Sequence, residues 1–330
     1  MKSISYHFLT LRRKSMKILV TGGAGFIGSN LAERLVFEGH QVIVYDDLSA
    51  GRIENLQGLS SYPNFTFVKG TILDRDHLAD LIREHEIEVI SHQAARPSVA
   101  RSVEDPLATN EINVTGTLNV LKAAIDHGVK KVVVAISSSV YGDTPELPKR
   151  ETMPYNPQSP YAVSKVTKEL YLKVFHQVYG LDTVGLRYFN VYGRKQDPKS
   201  DYAAVIPKFI TAALKGEDLS IEGDGEQTRD FTYIDDVVEA NIAGFMNDKA
   251  SGRSFNIAYG ARISILDLAK KIIEITKSKS KIIFKSKRKG DIRHSLADIS
   301  YAGEYLKYRP KFDLEQGLVH TISWYREVIS

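Results

Sequence analysis

No cysteine occurs among the 330 residues of this chain, and tryptophan occurs once. Disulfides and thiolate metal sites are thereby excluded, no metal site is expected, and a reducing cytoplasm is the expected compartment. Long apolar runs are missing too: no stretch approaches the roughly 20 residues needed to cross a bilayer. The segment before Met16 lacks an uninterrupted apolar core followed by small residues, so it makes a poor signal peptide. It reads either as a genuine extension over the first domain or as a start assigned too early. Charge of one sign is scarce, with a net of +4. Nucleic-acid attraction needs cations gathered on one surface, and here they are spread along the chain, so neither nucleic acid nor membrane is an expected partner. The one basic run, Lys281 to Lys289, falls where a phosphate-binding loop could also stand. Repeats and low-complexity tracts are absent. What remains is 43% hydrophobic and 25% charged, enough to bury a core in one large domain or two closely packed ones.

Short runs rich in Val and Ile alternate with longer amphipathic segments. Lys17–Thr21, Gln41–Tyr45, Thr66–Lys69, Val89–His92, Lys131–Ile136 and Thr183–Arg187 read as strands. Asn30–Glu38, Asp76–His85, Pro106–His127 and Pro160–Tyr179 have helical periodicity. Strands apolar on both faces and separated by helices predict a doubly wound parallel sheet of α/β class, with ligands at the carboxyl ends of its strands. After Arg187 the pattern loosens into a smaller α+β substrate domain. The expected division gives 1–189 to the dinucleotide-binding domain, with returning segments at about 233–258, and 190–330 to the substrate domain, mainly 190–232 and 259–330.

The first strand runs into Thr21-Gly22-Gly23-Ala24-Gly25-Phe26-Ile27-Gly28 and then at once into a helix. Glycines allow a tight turn and let backbone N–H groups approach a pyrophosphate at the helix N-terminus. A glycine turn that merely packs a helix on a strand would use the same residues. Here Asp46 ends the next strand, completing the context the motif requires. An acid there accepts hydrogen bonds from ribose hydroxyls and repels a 2′-phosphate, favouring NAD over NADP. Ala94 and Ala95 follow the fourth strand and leave room for that cofactor. His92 reads as a satisfied core histidine. Asn113 suits either a cofactor contact or a structural bond to a neighbouring loop.

Tyr161 and Lys165 form the one Tyr-x-x-x-Lys in a chain of seventeen tyrosines. Ser159 and Pro160 supply an N-cap and first helical position, and residues four apart share a helix face. A phenol's reference pKa is about 10, and one cation at about 5 Å in an effective dielectric of about 20 lowers it by roughly two units. A positively charged nicotinamide could supply the rest. Ser137-Ser138-Ser139 follow the fifth strand, so a hydroxyl there could bridge substrate and tyrosine, although turn chemistry also favours serine.

Gly-x-x-Gly-x-x-Gly, Asp46-Asp47-Leu48, Ser-x-x-Val-Tyr-Gly, Tyr-x-x-x-Lys and Arg187-Tyr188-Phe189-Asn190 together resemble the extended short-chain dehydrogenase/reductases that act on nucleotide sugars. Arg187–Pro198, Tyr202–Lys208 and Gly290–Ile299 are most similar to the UDP-N-acetylglucosamine 4-epimerases, relatives of UDP-galactose 4-epimerase. The similarity runs from about Lys17 to the C-terminus. It implies that Ser137, Tyr161 and Lys165 are catalytic. It places Gly22, Gly25, Phe26, Ile27, Gly28, Asp46, Asp47, Ser49, Ala50 and Gly51 around NAD, with Ile72, Gln93, Ala94, Ala95 and Asn113. Tyr188 would lie against the nicotinamide, and Tyr161 and Lys165 touch the cofactor as well. Asn190, Arg229 and Arg288 would hold the diphosphate and Asp291 the uridine ribose. Val205, Lys208 and Ser220 join the substrate contacts with Ser138 and Ser139. A surface ion pair with Asp230 is the alternative for Arg229. Thr71 departs from the pattern, standing where relatives carry an Asp or Asn on adenine, so that one contact is in doubt.

The implied activity is reversible 4-epimerisation of UDP-N-acetylglucosamine and UDP-N-acetylgalactosamine, extending to UDP-glucose and UDP-galactose, through a 4-keto sugar with tightly held NAD. Dehydratase and decarboxylase relatives need an acid where this chain has Ser138-Ser139. A uronate 4-epimerase stays open through Arg96 and Arg101, as does a net dehydrogenase; a non-catalytic NAD-sensing scaffold would be expected to lose Tyr161 or Lys165. The acetamido preference rests on Ser295, a pocket-wall position that is sometimes tyrosine in relatives, with Gln196 and Ser98 as hydrogen-bonding partners; a loop-surface role would also suit that serine. Apolar residues beyond one stripe on Pro106–His127 and Pro160–Tyr179 predict a homodimer.

Overall fold

Runs of Val, Ile and Leu bounded by glycine and polar turns become strands, and the amphipathic stretches between them become helices. The computed structural model describes residues 15–198, 204–286 and 292–329, so Arg288, Asp291 and nearly all of the segment before Met16 lie outside the described residues. In chain order, β1 (Lys17–Thr21), α1 (Phe26–Phe37), β2 (Gln41–Asp46), β3 (Phe65–Lys69), α2 (Arg75–Glu84) and β4 (Val89–His92) come first. Next are α3 (Val99–Glu104), α4 (Pro106–Asn110), α5 (Gly116–Asp126), β5 (Lys131–Ser137), α6 (Pro160–Tyr179) and β6 (Asp182–Tyr188). β7 (Val191–Tyr192), α7 (Val205–Lys215), β8 (Leu219–Glu222), β9 (Thr228–Arg229), β10 (Thr232–Tyr233) and α8 (Ile234–Met246) follow. The last elements are β11 (Arg253–Ile257), β12 (Ile263–Ser264), α9 (Ile265–Thr276), β13 (Ile282–Lys285) and α10 (Leu314–Ile329).

Seven strands pair in parallel in the order β11-β6-β5-β4-β1-β2-β3. This is the expected doubly wound sheet. Side chains alternate between its faces. Leu19, Ile43, Tyr45 and Val132 pack with α2, α5 and α6, whereas Ile18, Val20, Val44 and Val133 pack with α1 and α8. Each such aliphatic chain stabilises the fold by about 1.5–3 kcal/mol, which fixes the register wherever both faces are covered. The chain leaves the sheet after β6 and returns through α8 and β11, which adds the seventh strand against β6. The three remaining strand pairs, β7–β10, β9–β12 and β8–β13, form the smaller α+β part with α7, α9 and α10.

Two helices differ from expectation. α1 begins at Phe26, four positions before Asn30, because Gly28 is a tight contact inside the helix and not part of the loop. The stretch expected as one helix over Pro106–His127 is α4 and α5 joined by a wide π turn, Glu111–Thr115. Asn113 sits in that turn and bonds the Arg96 backbone. α6 matches the expected bounds, since Ser159 Oγ accepts from Ala162 N at 3.2 Å and Gly180 ends the helix in the left-handed region.

A buried ion pair fastens α6 to β6. Arg187 Nε and Nη2 donate to Glu169 Oε2 and Oε1 at 2.9 and 2.5 Å, and Nη1 donates to Tyr141 Oη at 2.5 Å. Removing one partner of such a pair leaves a charge stranded in low dielectric. Glu169→Ala is therefore expected to lower stability by about 3–5 kcal/mol, read as a lower urea midpoint.

Candidate functional site

The carboxyl ends of β1, β2, β4, β5 and β6 share one edge of the sheet. β1 ends in a turn that only glycine fits. Gly22 has φ +68°, and a Cβ there would lie 2.6 Å from Ala94 N. A Cβ on Gly28 would stand 2.3 Å from Gly22 O, so α1 lies directly on the turn. Gly25 precedes α1 with no side-chain cap, leaving the first N–H groups beside Phe26 and Ile27 facing outward. These features suit a pyrophosphate on the helix N-terminus. At the end of β2, Asp46 Oδ2 accepts from Ala24 N at 2.9 Å and Oδ1 from Leu48 N at 2.8 Å. Burial raises this carboxyl's pKa against those two bonds. Each oxygen keeps a lone pair for a ribose hydroxyl. Asp47 accepts from Ser49 N at 2.8 Å, and Ser49, Ala50 and Gly51 continue along the rim. Ile72 is buried against Gly116. Thr71 Oγ1 turns back to Leu73 N at 3.3 Å.

Two of the side chains expected at the cofactor make hydrogen bonds within the protein. Asn113 Oδ1 accepts from Arg96 N at 2.7 Å, while Nδ2 donates to Arg96 O and Ser164 Oγ at 3.2 and 3.0 Å. The structural alternative is thus the one its geometry shows: it clasps the loop after Ala95. Gln93 turns away toward α8, donating to Ser91 Oγ and Asn241 Oδ1, both at 2.9 Å. Tyr188 Oη bonds Gln93 and Asn241, and burial pushes that phenol up to about 12. Asn241 was not legible as a site residue; its one signal is an amide in an otherwise apolar stretch of α8. His92 is a satisfied core histidine, with Thr21 and Thr117 hydroxyls at 2.7 and 2.9 Å.

Tyr161 and Lys165 project from α6 toward the end of β5. Lys165 Nζ donates to Ala135 O at 2.8 Å and lies 5.5 Å from the Tyr161 ring centre. Burial lowers this ammonium to about 8. Burial raises the Tyr161 phenol, and a hydrogen bond with Ser137 pulls it back. Ser137 Oγ also accepts from Ser139 N at 3.2 Å, with Ser138 between them. Ser139 Oγ is buried without a hydrogen-bond partner among the described residues.

On the smaller part, Asn190 has φ +30° and donates from Nδ2 to Asp230 O at 3.0 Å. Arg229 Nη1 donates to Thr228 O at 2.9 Å. The Asp230 carboxylate accepts from Tyr259, Gly260 and Ala297 N–H groups, tying three segments behind Arg229. Ser295 N donates to Thr228 O at 3.1 Å, so its backbone runs alongside Thr228, the residue before Arg229. Val205 opens α7, while Lys208 and Ser220 are exposed on α7 and β8. Ser98 caps α3 by accepting from Arg101 N at 3.3 Å. Gln196 donates to Val191 O at 3.2 Å, leaving Oε1 buried without a partner among the described residues. Arg96 pairs with Asp105 at 3.0 Å.

Residues 18–258 match the model of the NAD dependent epimerase/dehydratase family. A UDP-glucose 4-epimerase of Mycolicibacterium smegmatis is 42% identical over 94% of this chain and 99% of its own. The solved structure of a UDP-N-acetylglucosamine 4-epimerase from Methanobrevibacter ruminantium, in complex with UDP-N-acetylmuramic acid, superposes with a TM-score of 0.91 at 40% identity, covering 96% and 100% of the two chains. A UDP-glucuronic acid 4-epimerase from Bacillus cereus, in complex with UDP-glucuronic acid and NAD, gives 0.87 at 33% identity over 95% and 100%.

The glycine contacts carry a direct test. In Gly28→Ala the new methyl group meets Gly22 O, so α1 must back away from the turn. The purified variant is expected to carry far less NAD than the parent, measured by mass spectrometry of the released dinucleotide. Equal loading would mean that the cofactor is not seated on this turn.

Proposed function

The chain belongs to the NAD dependent epimerase/dehydratase family and is an NAD-dependent nucleotide-sugar 4-epimerase, and within that activity we propose that it interconverts UDP-N-acetylglucosamine and UDP-N-acetylgalactosamine. The chemistry rests on one observation above the rest: the Tyr161 phenol stands between the Ser137 hydroxyl and the Lys165 ammonium at the ligand edge of the sheet. Lys165 Nζ lies 5.5 Å from the Tyr161 ring centre, and a cation at about 5 Å in an effective dielectric of about 20 favours a phenolate by roughly 3 kcal/mol. It acts in the same direction as the Ser137 hydrogen bond, against the burial that raises the phenol.

NAD, when bound, supplies a hydride acceptor and donor at carbon 4 of the sugar. Gly22, Gly25, Gly28 and Asp46 would hold it, with Tyr188 on the nicotinamide side. Tyr161 takes the 4-hydroxyl proton, Ser137 bridges the two oxygens, and Lys165 steadies the phenolate. The resulting 4-keto sugar turns about its diphosphate linkage, which Arg229 and Asn190 keep anchored. Tyr161 then returns the proton once the opposite face of carbon 4 is presented. Anchoring the diphosphate while leaving the sugar free is what permits both faces to react.

The choice of sugar rests on Ser295, a small residue on the segment whose backbone pairs with Thr228, where a tyrosine would take up room that a 2-acetamido group needs. Gln196 offers its unpartnered Oε1 nearby in sequence to the β7 turn. Of the two cations that kept a uronate open, Arg96 and Arg101, the first is paired with Asp105, which weakens that reading. For the assembly, Val163, Leu170, Val174 and Val178 form an exposed apolar stripe on α6, with Val103 and Leu107 on α3 and α4 alongside. We place a second copy of the chain there, on α3 and α4 and not on α5. The cytoplasm is the compartment we propose.

Separate incubation with UDP-N-acetylglucosamine, UDP-glucose and UDP-N-acetylglucosaminuronate, with the epimers resolved, tests the assignment; turnover of the uronate alone would replace it. Tyr161→Phe is expected to lower kcat by about 10²–10⁴ while NAD stays bound. Ser295→Tyr should suppress the acetylated sugar and spare UDP-glucose, and equal loss of both removes the gate. Lys165 holds its proton below about 8 and loses it above, so kcat should decline as pH rises through that value.

A further inference from the structure

Lys168, three residues beyond Lys165 on α6, is completely buried. Its Nζ lies 3.2 Å from Ala94 O and 3.4 Å from His92 Nε2. The groups facing it are Lys165 on its own helix, His92 on β4 and, behind His92, the hydroxyls of Thr21 and Thr117. Glu169, its neighbour in sequence, has both oxygens on Arg187. No carboxylate among the described residues answers this amine.

The hydrogen bonds around His92 determine what Lys168 faces. Thr117 Oγ1 donates to Asn113 O at 2.6 Å, which commits its only proton. The imidazole nitrogen 2.9 Å from that hydroxyl, Nε2, must therefore carry the hydrogen and donate. On the other side Thr21 Oγ1 donates to Nδ1 at 2.7 Å. A neutral ring satisfies both contacts. Lys168 thus looks at an N–H and not at a lone pair. An ammonium in that position opposes a hydrogen with a hydrogen. An amine can present its lone pair on the side of that hydrogen, which Nε2 directs to Thr117 Oγ1, and still donate to Ala94 O.

We propose that Lys168 works as a neutral amine, a positioning residue that fastens the Ala94 wall of the cofactor cleft to α6 and leaves the positive charge to Lys165. Charging both lysines would set like charges one helical turn apart in a dry interior. The order of protonation agrees with this. Burial and then the Lys165 charge hold Lys168 well below the usual lysine range, whereas burial alone acts on Lys165. The catalytic consequence rests on the epimerase reading; the charge state does not.

The holoenzyme labelled with ¹³C at lysine Cε tests the charge directly, with the Lys168 signal assigned by its loss in Lys168→Met. That signal should have the shift of an unprotonated amine at pH 7 and move only on acidification. Titration with the bulk lysines near about 10.4 would overturn the proposal. Kinetics supply a second arm. Lys168→Arg installs a permanent cation, and should move the alkaline limb of the kcat–pH profile down by about one unit or more. Lys168→Met should leave that limb in place yet release NAD faster, because Ala94 O loses its donor. A parental limb in the Arg variant with a displaced one in the Met variant would make Lys168 a working ammonium, and the proposal falls. Should Lys168→Arg not fold, the titration of the parent decides. If no UDP-sugar is turned over, the epimerase reading fails while the resonance still reports the amine.

Discussion

A lysine has to keep its proton where water has been removed, and most of the site can be understood from that demand. Lys165 has one carbonyl, Ala135 O, to receive a hydrogen bond and one aromatic ring beside it. No carboxylate among the described residues neutralises it in the way that Glu169 neutralises Arg187. A paired ammonium would be more comfortable and would do less for a phenol. The fold tolerates this cost because α6 is held on the sheet by the Arg187 ion pair, a serine cap and a buried apolar face. Stability is drawn from one part of the helix and its reactive face is left under electrostatic tension.

Much of this was legible in the residues. α6 was readable to its ends because a serine cap, a proline and a terminal glycine are local signals. β1, β4 and the core of β5 were readable because both faces are apolar. The start of α1 was not: glycine disfavours helices on its own, and only the closeness of Gly22 O explains why Gly28 belongs inside one. The π turn at Glu111–Thr115 was hidden for a similar reason. It follows from where Asn113 must reach, and that partner is the Arg96 backbone, seventeen positions away. Gln93 was placed at the right strand end but points to Asn241 instead of outward, since side-chain direction at a strand end depends on the helix packed beneath. Lys168 shares a face with Tyr161 and Lys165, so its spacing was visible; its burial was not.

Relatives with different substrates share this framework at comparable similarity. The chain resembles a UDP-glucose 4-epimerase, a UDP-N-acetylglucosamine 4-epimerase and a UDP-glucuronic acid 4-epimerase over nearly their whole lengths. That pattern is physically reasonable. The proton-handling group we propose sits on α6 and β5, at the sheet edge, while the residues we propose as judging the sugar lie on short segments such as 293–297. Short segments can change one residue without disturbing the buried layers, so specificity drifts while the reaction is retained.

β11 has a consequence for how the molecule is made. It is the outermost strand of the sheet, yet it is synthesised after β7 to β10 and both α7 and α8. Until residue 257 has emerged, β6 presents a bare row of amides and carbonyls, and Val184 and Leu186 lack part of their cover. Half of the smaller part, β7 to β10 with α7, is therefore made between two strands that must pair, and its partners β12 and β13 come only after β11, so neither portion finishes folding as a free-standing piece. Unfolding should accordingly be a single event for the whole chain, and a ligand gripped by the late segments would stiffen the early ones through this one shared seam.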